Sequence, residues 1–395
     1  MTTERRARAW LSANVEPGLP AVAALIATVG AGEAMRAIST GRSVPGVTAR
    51  PDRDPHGTAD AVLATARRVG LQFVCPGDDL WPAGLDDLAH VGDLHGRGGL
   101  PYGLWFRGAD EQAVNAARSV AIVGARASTT YGDDTAGDLA AGLADAGVAV
   151  VSGAAYGVDA AAHRGALAVR GRTIAVLACG ADVAYPRAHE GLLGRIAEVG
   201  LVISEAPPGA APTRVRFLAR NRLIAAMTQA LVVVEASWRS GALNSLSWAH
   251  DLGRVCLGVP GPVTSTASTG VHRALRNRKA ELVTGPQDVM AALQPLGSGF
   301  LGETDSGQGE HRPTDGLDPV ALRLLESLPA QGSVALPEAA DGAGVLPQHA
   351  ERLLQALADR NLVECAGGRW QVSRRLRASR RRGGLPDGRE TLTLR

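Results

Sequence analysis

Between residues 119 and 289 the chain alternates short, unbroken apolar runs with longer segments in which apolar positions recur every three or four residues. The runs fall at 119–123, 148–151, 173–178, 201–204, 230–234 and 254–259. Strands buried on both faces read as continuous apolar runs, and strands alternating with helices imply parallel βαβ units. Helical patterns occupy the gaps at 133–146, 160–169, 192–199 and 243–252. The pattern predicts an α/β domain over 119–293, an open, doubly wound parallel sheet of six strands.

The flanks are patterned differently. Residues 1–118 read as a small helical N-terminal module with a lead-in: an Ala-rich helical stretch over 4–40, a helix at 59–69, a strand at 71–75 and an extended piece at 101–108. Within it a short helix at 19–29 is punctuated by Gly30 and Gly32. Residues 294–316 are rich in Gly, Ser and Asp without periodicity and read as a linker. Helices at 319–328, 336–340 and 348–360 followed by a tight hairpin at 362–372 give the winged-helix order over 317–373. A basic, unpatterned tail fills 374–395.

Composition changes this picture little. At 395 residues with 45% hydrophobic content there is ample core for more than one domain. No unbroken apolar run approaches the roughly 20 residues of a membrane span, and the charged start lacks a signal-peptide pattern, so a cytoplasmic protein without membrane contact is expected. Cys75, Cys179, Cys256 and Cys365 lie far apart, so reduced, mostly buried thiols and no metal site are expected. The net charge of +2 says less than its placement.

Candidate chemistry gathers at the strand ends. The first strand ends in Gly124-Ala125-Arg126 ahead of a helix, whose free amides and dipole favour an anion. The second ends in Ser152-Gly153, not in the acidic residue that grips a ribose, which disfavours a dinucleotide enzyme. Gly157 and Asp159 follow, with Asp159 placed as a helix N-cap and His163 one turn on. That pair reads as scaffold for the turn rather than as catalytic machinery. Arg214, Arg216, Arg220 and Arg222 cluster around Phe217 and Asn221 ahead of an apolar helix, a pattern suited to phosphates and a stacked base. Glu205 and Glu235 close later strands, and Ser240-Gly241 opens another glycine turn. Carboxyl ends of parallel strands are where open α/β sheets bind ligands.

In this order, these motifs resemble the DNA-processing protein A family, also called Smf. The resemblance runs over about 119–289 and rests on Val123-Gly124-Ala125-Arg126, Ser152-Gly153, Gly157-Val158-Asp159, Ala162-His163, Gly171-Arg172-Thr173, Tyr185-Pro186, Ser204-Glu205, Arg220-Asn221-Arg222, Glu235, Ser240-Gly241 and Pro260-Gly261. It implies a Rossmann-like domain that binds and protects single-stranded DNA, helps load a RecA-type recombinase in natural transformation, pairs as a homodimer, and needs no cofactor or catalytic residue. By this carry-over Arg126 and Arg172 contact phosphates, with Phe217 and the Arg220–Arg222 cluster lining the same groove. The chain departs from the family pattern at Ala242-Leu243-Asn244-Ser245 and at Val271-His272, and Arg172 stands where lysine is usual.

Two other readings compete. A related nucleoside monophosphate hydrolase needs a Pro-Gly-Gly turn with a nearby catalytic Glu, but Pro260-Gly261-Pro262 stands here. A duplex-binding regulator would read DNA with helix 348–360, yet Glu351 and Asp359 there offset Arg352 and Arg360.

Overall fold

The computed structural model describes residues 3–110, 114, 118–294, 317–329 and 332–373. They fall into two compact units, Met1–Leu296 and Gly297–Arg395. Beyond residue 294, the linker expected from the sequence lies outside the described residues, as does the basic tail.

The first unit opens with helices α1 (Thr3–Asn14), α2 (Pro20–Ser39) and α3 (Pro55–Arg68). As expected, a first helical segment ends at Gly30, whose φ of 82° and ψ of 162° are not helical, and a second segment carries α2 on to Ser39. Only glycine adopts that geometry readily, so α2 is two helices joined at a kink. By length and composition alone Pro20–Ser39 is apolar enough to cross a membrane, but the kink at Gly30 divides it into two shorter helices. Beyond the bend, Ala31, Met35 and Ile38 pack into a core with Trp10 and Leu11.

The chain then builds one sheet. Its elements are β1 (Gln72–Val74), β2 (Leu104–Gly108), β3 (Ser119–Val123), α4 (Thr130–Asp145), β4 (Ala149–Ser152), α5 (Val158–Ala168), β5 (Thr173–Leu177), α6 (Glu190–Val199) and β6 (Leu201–Ser204). There follow α7 (Arg214–Ala226), β7 (Ala230–Val233), α8 (Ala242–Asp251), β8 (Val255–Gly258), α9 (Thr269–Arg276), β9 (Glu281–Leu282) and α10 (Pro286–Ala292). The spatial order is β1-β2-β6-β5-β4-β3-β7-β8-β9. All pairings from β6 through to β9 are parallel, while β1 and β2 add antiparallel to the β6 edge.

Nine strands replace the six expected. Two of the additions, β1 and β2, are the strand at 71–75 and the extended piece at 101–108 expected from the sequence, here joined to the sheet beside β6, while β9 has two residues, too few for the period of its side chains to declare it. Through β1 and β2 the N-terminal stretch is part of the sheet, and Ala9, Leu63, Phe73 and Trp105 share one core with Leu177, Ile196 and Val202. The buried Trp105 indole donates to Ser12 Oγ at 2.9 Å, tying β2 to α1.

Strand β3 is the switch point of the winding. From β3 the chain steps outward through β4, β5 and β6, then α7 returns it to β7 on the other side of β3. The helices following β3 and β7 therefore leave in opposite directions, opening a crevice at the carboxyl ends of these neighbours.

The second unit comprises α11 (Pro319–Ser327), β10 (Val334–Ala335), α12 (Leu336–Ala343), α13 (Pro347–Asp359), β11 (Val363–Ala366) and β12 (Arg369–Val372). Strands β11 and β12 form an antiparallel hairpin, with β10 on the far side of β12. Leu324, Leu325, Leu354, Leu357 and Trp370 form its core.

Candidate functional site

A cleft of about 880 Å³ opens at the switch-point crevice. Its walls are the loop after β3 (Gly124 to Ala127), the turn after β7 (Ser237, Ser240, Gly241) and one face of α7. On α7 the lining positions Arg214, Phe217, Leu218 and Asn221 recur at helical spacing, with Arg220 and Ile224 beside them. Thr213 caps this helix by accepting a hydrogen bond from the Arg216 amide, and Thr213 also lines the cleft.

The lining carries three guanidinium groups, those of Arg126, Arg214 and Arg220, against one carboxylate, Asp159. Arg126 is exposed and lies over the Phe217 ring, 4.5 Å from its centroid. Tyr185, also exposed, stands 5.8 Å from the other partner of that stack, Phe217. Stacking on a guanidinium fixes the orientation of a ring while leaving the cation's edge donors available.

Arg220 is the cleft's floor. It is buried, and its Nη1 donates to the carbonyls of Gly153 and Val176 at 2.7 and 2.5 Å. A Cβ on Gly153 would sit 2.0 Å from that nitrogen, so glycine is what admits the guanidinium. Asp159 accepts from the Gly153 and Ala155 amides at 3.2 and 3.4 Å. Burial pushes its carboxyl above the ordinary range, opposed by the attraction of Arg220.

Asp159 is thus not the N-cap expected of it. Gly157 occupies that position, at φ 74°, where a Cβ would also meet the Ala125 carbonyl at 2.4 Å. The carboxylate reaches back over the loop that it stabilises. Ala154 in that loop has a positive φ of 51° and its carbonyl contacts His189 Nδ1 at 3.0 Å. His163 does not meet Asp159. Its Nδ1 lies 2.7 Å from Thr173 Oγ1, whose hydroxyl donates to the Val150 carbonyl, so the imidazole holds α5 on β4 and β5.

Glu235 performs the same service across the crevice. Its carboxylate accepts from the Thr129 amide at 2.9 Å and from the Thr129 hydroxyl at 2.6 Å, linking the ends of β7 and β3.

Several residues expected at the ligand lie elsewhere. Arg222 is fully buried, its guanidinium donating to both Glu205 carboxylate oxygens at 2.7 and 2.8 Å and to the Gly99 carbonyl at 3.1 Å. The cluster expected ahead of a helix lies inside α7, whose turn sends Arg216 and Arg222 to either side of the lining stripe; Arg216 pairs with Glu16 at 3.0 Å. Arg172 precedes β5, at the amino end of the sheet opposite the cleft, and pairs with Asp110 at 3.0 Å. Ser152 is buried and donates to the Ile122 carbonyl, and Gly153 packs on Arg220. Gly124 lines the cleft, yet a Cβ there would meet Val158 at 2.6 Å, so its smallness serves packing of α5.

Gly124, Arg126, Phe217, Arg220, Asn221, Ser240 and Gly241 do converge. Arg214 of the expected arginine cluster joins them, and Tyr185, so far only part of a family motif, lines the cleft as well. Thr213 and Ser245 were not expected at the site, and nothing local in the sequence marks them. Asn221 Nδ2 donates to Asn244 Oδ1 at 3.1 Å, which gives the divergent 242–245 segment a contact with the cleft wall.

A family model described as DNA recombination-mediator protein A matches residues 72–294. The putative DNA processing protein DprA of Mycobacterium tuberculosis is 43% identical over 376 residues, 93% of this chain and 94% of that protein. The chain belongs to the DNA recombination-mediator protein A family. Protein Smf of Escherichia coli is 36% identical over 219 residues, covering 55% of this chain and 57% of that one. The X-ray structure of DNA processing protein A from Streptococcus pneumoniae superposes with a TM-score of 0.58 at 29% identity, spanning 74% of this chain and 98% of the other. The family match begins at residue 72, the first residue of β1.

Proposed function

We propose that the switch-point cleft binds single-stranded DNA, and that the chain protects such DNA and helps a RecA-type recombinase to load on it in natural transformation and recombination. The observation that carries this reading is the Arg126–Phe217 stack beside the exposed Tyr185, at the mouth of a cleft with three guanidiniums. Single strands are held by aromatic faces for bases and cations for phosphates, which is the inventory of this wall. Duplex DNA hides its base faces, so such a wall has little to offer it.

A binding role rather than catalysis is favoured by the engagement of the one lining carboxylate, Asp159, with two backbone amides. We place the DNA at Arg126, Arg214, Phe217, Arg220, Asn221, Ser240 and Gly241.

The smaller unit has the element order of a winged helix. On its α13, Glu351 and Asp359 balance Arg352 and Arg360, all exposed, which favours a protein contact over groove reading. We place the protein in the cytoplasm as a homodimer, with the domains divided as 1–118, 119–293, the 294–316 linker, 317–373 and the 374–395 tail.

The test is fluorescence anisotropy with a labelled oligothymidylate and with a duplex of equal length. Preference for the single strand is expected, and its affinity should fall steeply with salt as phosphate contacts release counterions. Equal affinity for the two forms overturns the reading.

A further inference from the structure

Of the six tryptophans, five are buried and Trp238 is 58% exposed. Its position is built rather than accidental. Ser237 to Ser240 form a tight turn, closed by the Ser240 amide donating to the Ser237 carbonyl at 3.1 Å. The two corners of that turn, Ser237 and Ser240, line the cleft, so Trp238 and Arg239 project from its rim.

A second element fixes the ring. Gly270 of α9 donates its amide to the Ala236 carbonyl at 2.7 Å, and a Cβ there would meet the Ala236 and Ser237 carbonyls at 2.6 Å. Glycine therefore lets α9 abut the turn, and one helical turn later Arg273 reaches the indole. The guanidinium carbon lies 3.9 Å above the ring centroid, and Nη2 donates to the Trp238 carbonyl at 3.3 Å. One face of the indole is thus covered by a cation, while the residue as a whole stays largely exposed. Among the described residues neither Arg239 nor Arg273 has a carboxylate partner.

We infer that Trp238, backed by Arg273, is a second stacking station, taking a nucleobase of a single strand as that strand leaves the cleft, with Arg239 beside it for a phosphate. This rests on the single-strand reading above and extends it to a site of its own. The arrangement repeats the chemistry of Arg126 on Phe217 at the opposite wall of the crevice. An indole held from behind loses little freedom when a base stacks on it, and base–aromatic stacking tolerates any sequence.

The experiment uses the full chain, an oligothymidylate of about 20 nucleotides and one of about 5, lengths that bracket the usual span of such sites. Addition of the longer strand should quench tryptophan fluorescence. Trp238→Ala should weaken the longer strand about 5- to 100-fold, Trp238→Phe should retain most of the affinity, and the shorter strand should bind wild type and variant alike. Wild-type affinity of Trp238→Ala for the longer strand, with Arg126→Ala still impaired, overturns the station and leaves the cleft reading intact. If Arg126→Ala also binds normally, both fall. A change in oligomeric state by light scattering in Trp238→Ala, with DNA affinity unchanged, assigns the indole to a protein contact and overturns the station.

Discussion

Arg222 and Glu205 form a two-pronged ion pair with both side chains out of reach of solvent, the guanidinium nitrogens 2.7 and 2.8 Å from the two carboxylate oxygens. The pair joins α7 to the end of β6, and the third guanidinium arm reaches the Gly99 carbonyl ahead of β2. An arginine placed five residues from a stacking Phe, ahead of an apolar stretch, thus belongs to the frame of the cleft and is absent from its lining.

Removing one partner of a buried pair strands the other charge. Arg222→Met should therefore destabilise folding by about 3–5 kcal/mol, whereas Arg222→Met with Glu205→Leu should recover most of the loss. Urea unfolding of the three proteins measures this. A single variant as stable as wild type would contradict the assignment.

His163 gives stability a pH dependence. Burial, reinforced by the Arg220 cation, lowers its pKa from 6.5 to about 3. The folded chain keeps the ring neutral while the unfolded chain protonates it below about pH 6.5. Stability is then full above that pH and falls on acidification, by up to about 1.4 kcal/mol per pH unit, until the folded pKa is reached. His163→Leu should lack this contribution, so the stability difference between wild type and variant should be flat above pH 7 and slope below 6. A difference independent of pH would show that the ring ionises alike in both states.

Gly153→Ala tests the floor of the cleft. A methyl group 2.0 Å from Arg220 Nη1 must push the guanidinium off the Gly153 and Val176 carbonyls. Two buried carbonyls lose a charged donor, each a loss of about 1–3 kcal/mol, and oligothymidylate affinity should fall with stability. Normal values for both would mean that the loop moves aside freely.

How far the fold was legible follows from where its information lies. The six strands from β3 to β8 are buried on both faces, so their apolar runs declare them without regard to partners. β9 is a two-residue edge strand, and β1 and β2 read as extended pieces whose membership of the sheet depends on a neighbour far away in sequence, such as Ser204 opposite Trp105. For the site, Gly124 and Arg126 were readable because they follow the end of a strand, and Ser240-Gly241 because they form the glycine turn that opens the next helix. Arg172 adjoins a strand at the end away from the cleft: charge and a glycine neighbour look alike at either end, and only chain direction separates them. Arg222 misled because burial of an arginine requires an acid that is distant in sequence, Glu205. The loop role of Asp159 was hidden likewise, since its partners lie upstream of the helix it was expected to cap.

The central claim is that the Arg126–Phe217 stack receives a single strand. Its most direct test is the oligothymidylate affinity of Arg126→Ala and Phe217→Ala, with Arg172→Ala as the control at the opposite end of the sheet. Loss of a stacked base or of a phosphate contact should weaken binding about 5- to 100-fold in each of the first two, while Arg172→Ala should bind as wild type. Wild-type affinity in Arg126→Ala and Phe217→Ala, or a loss confined to Arg172→Ala, would contradict the account.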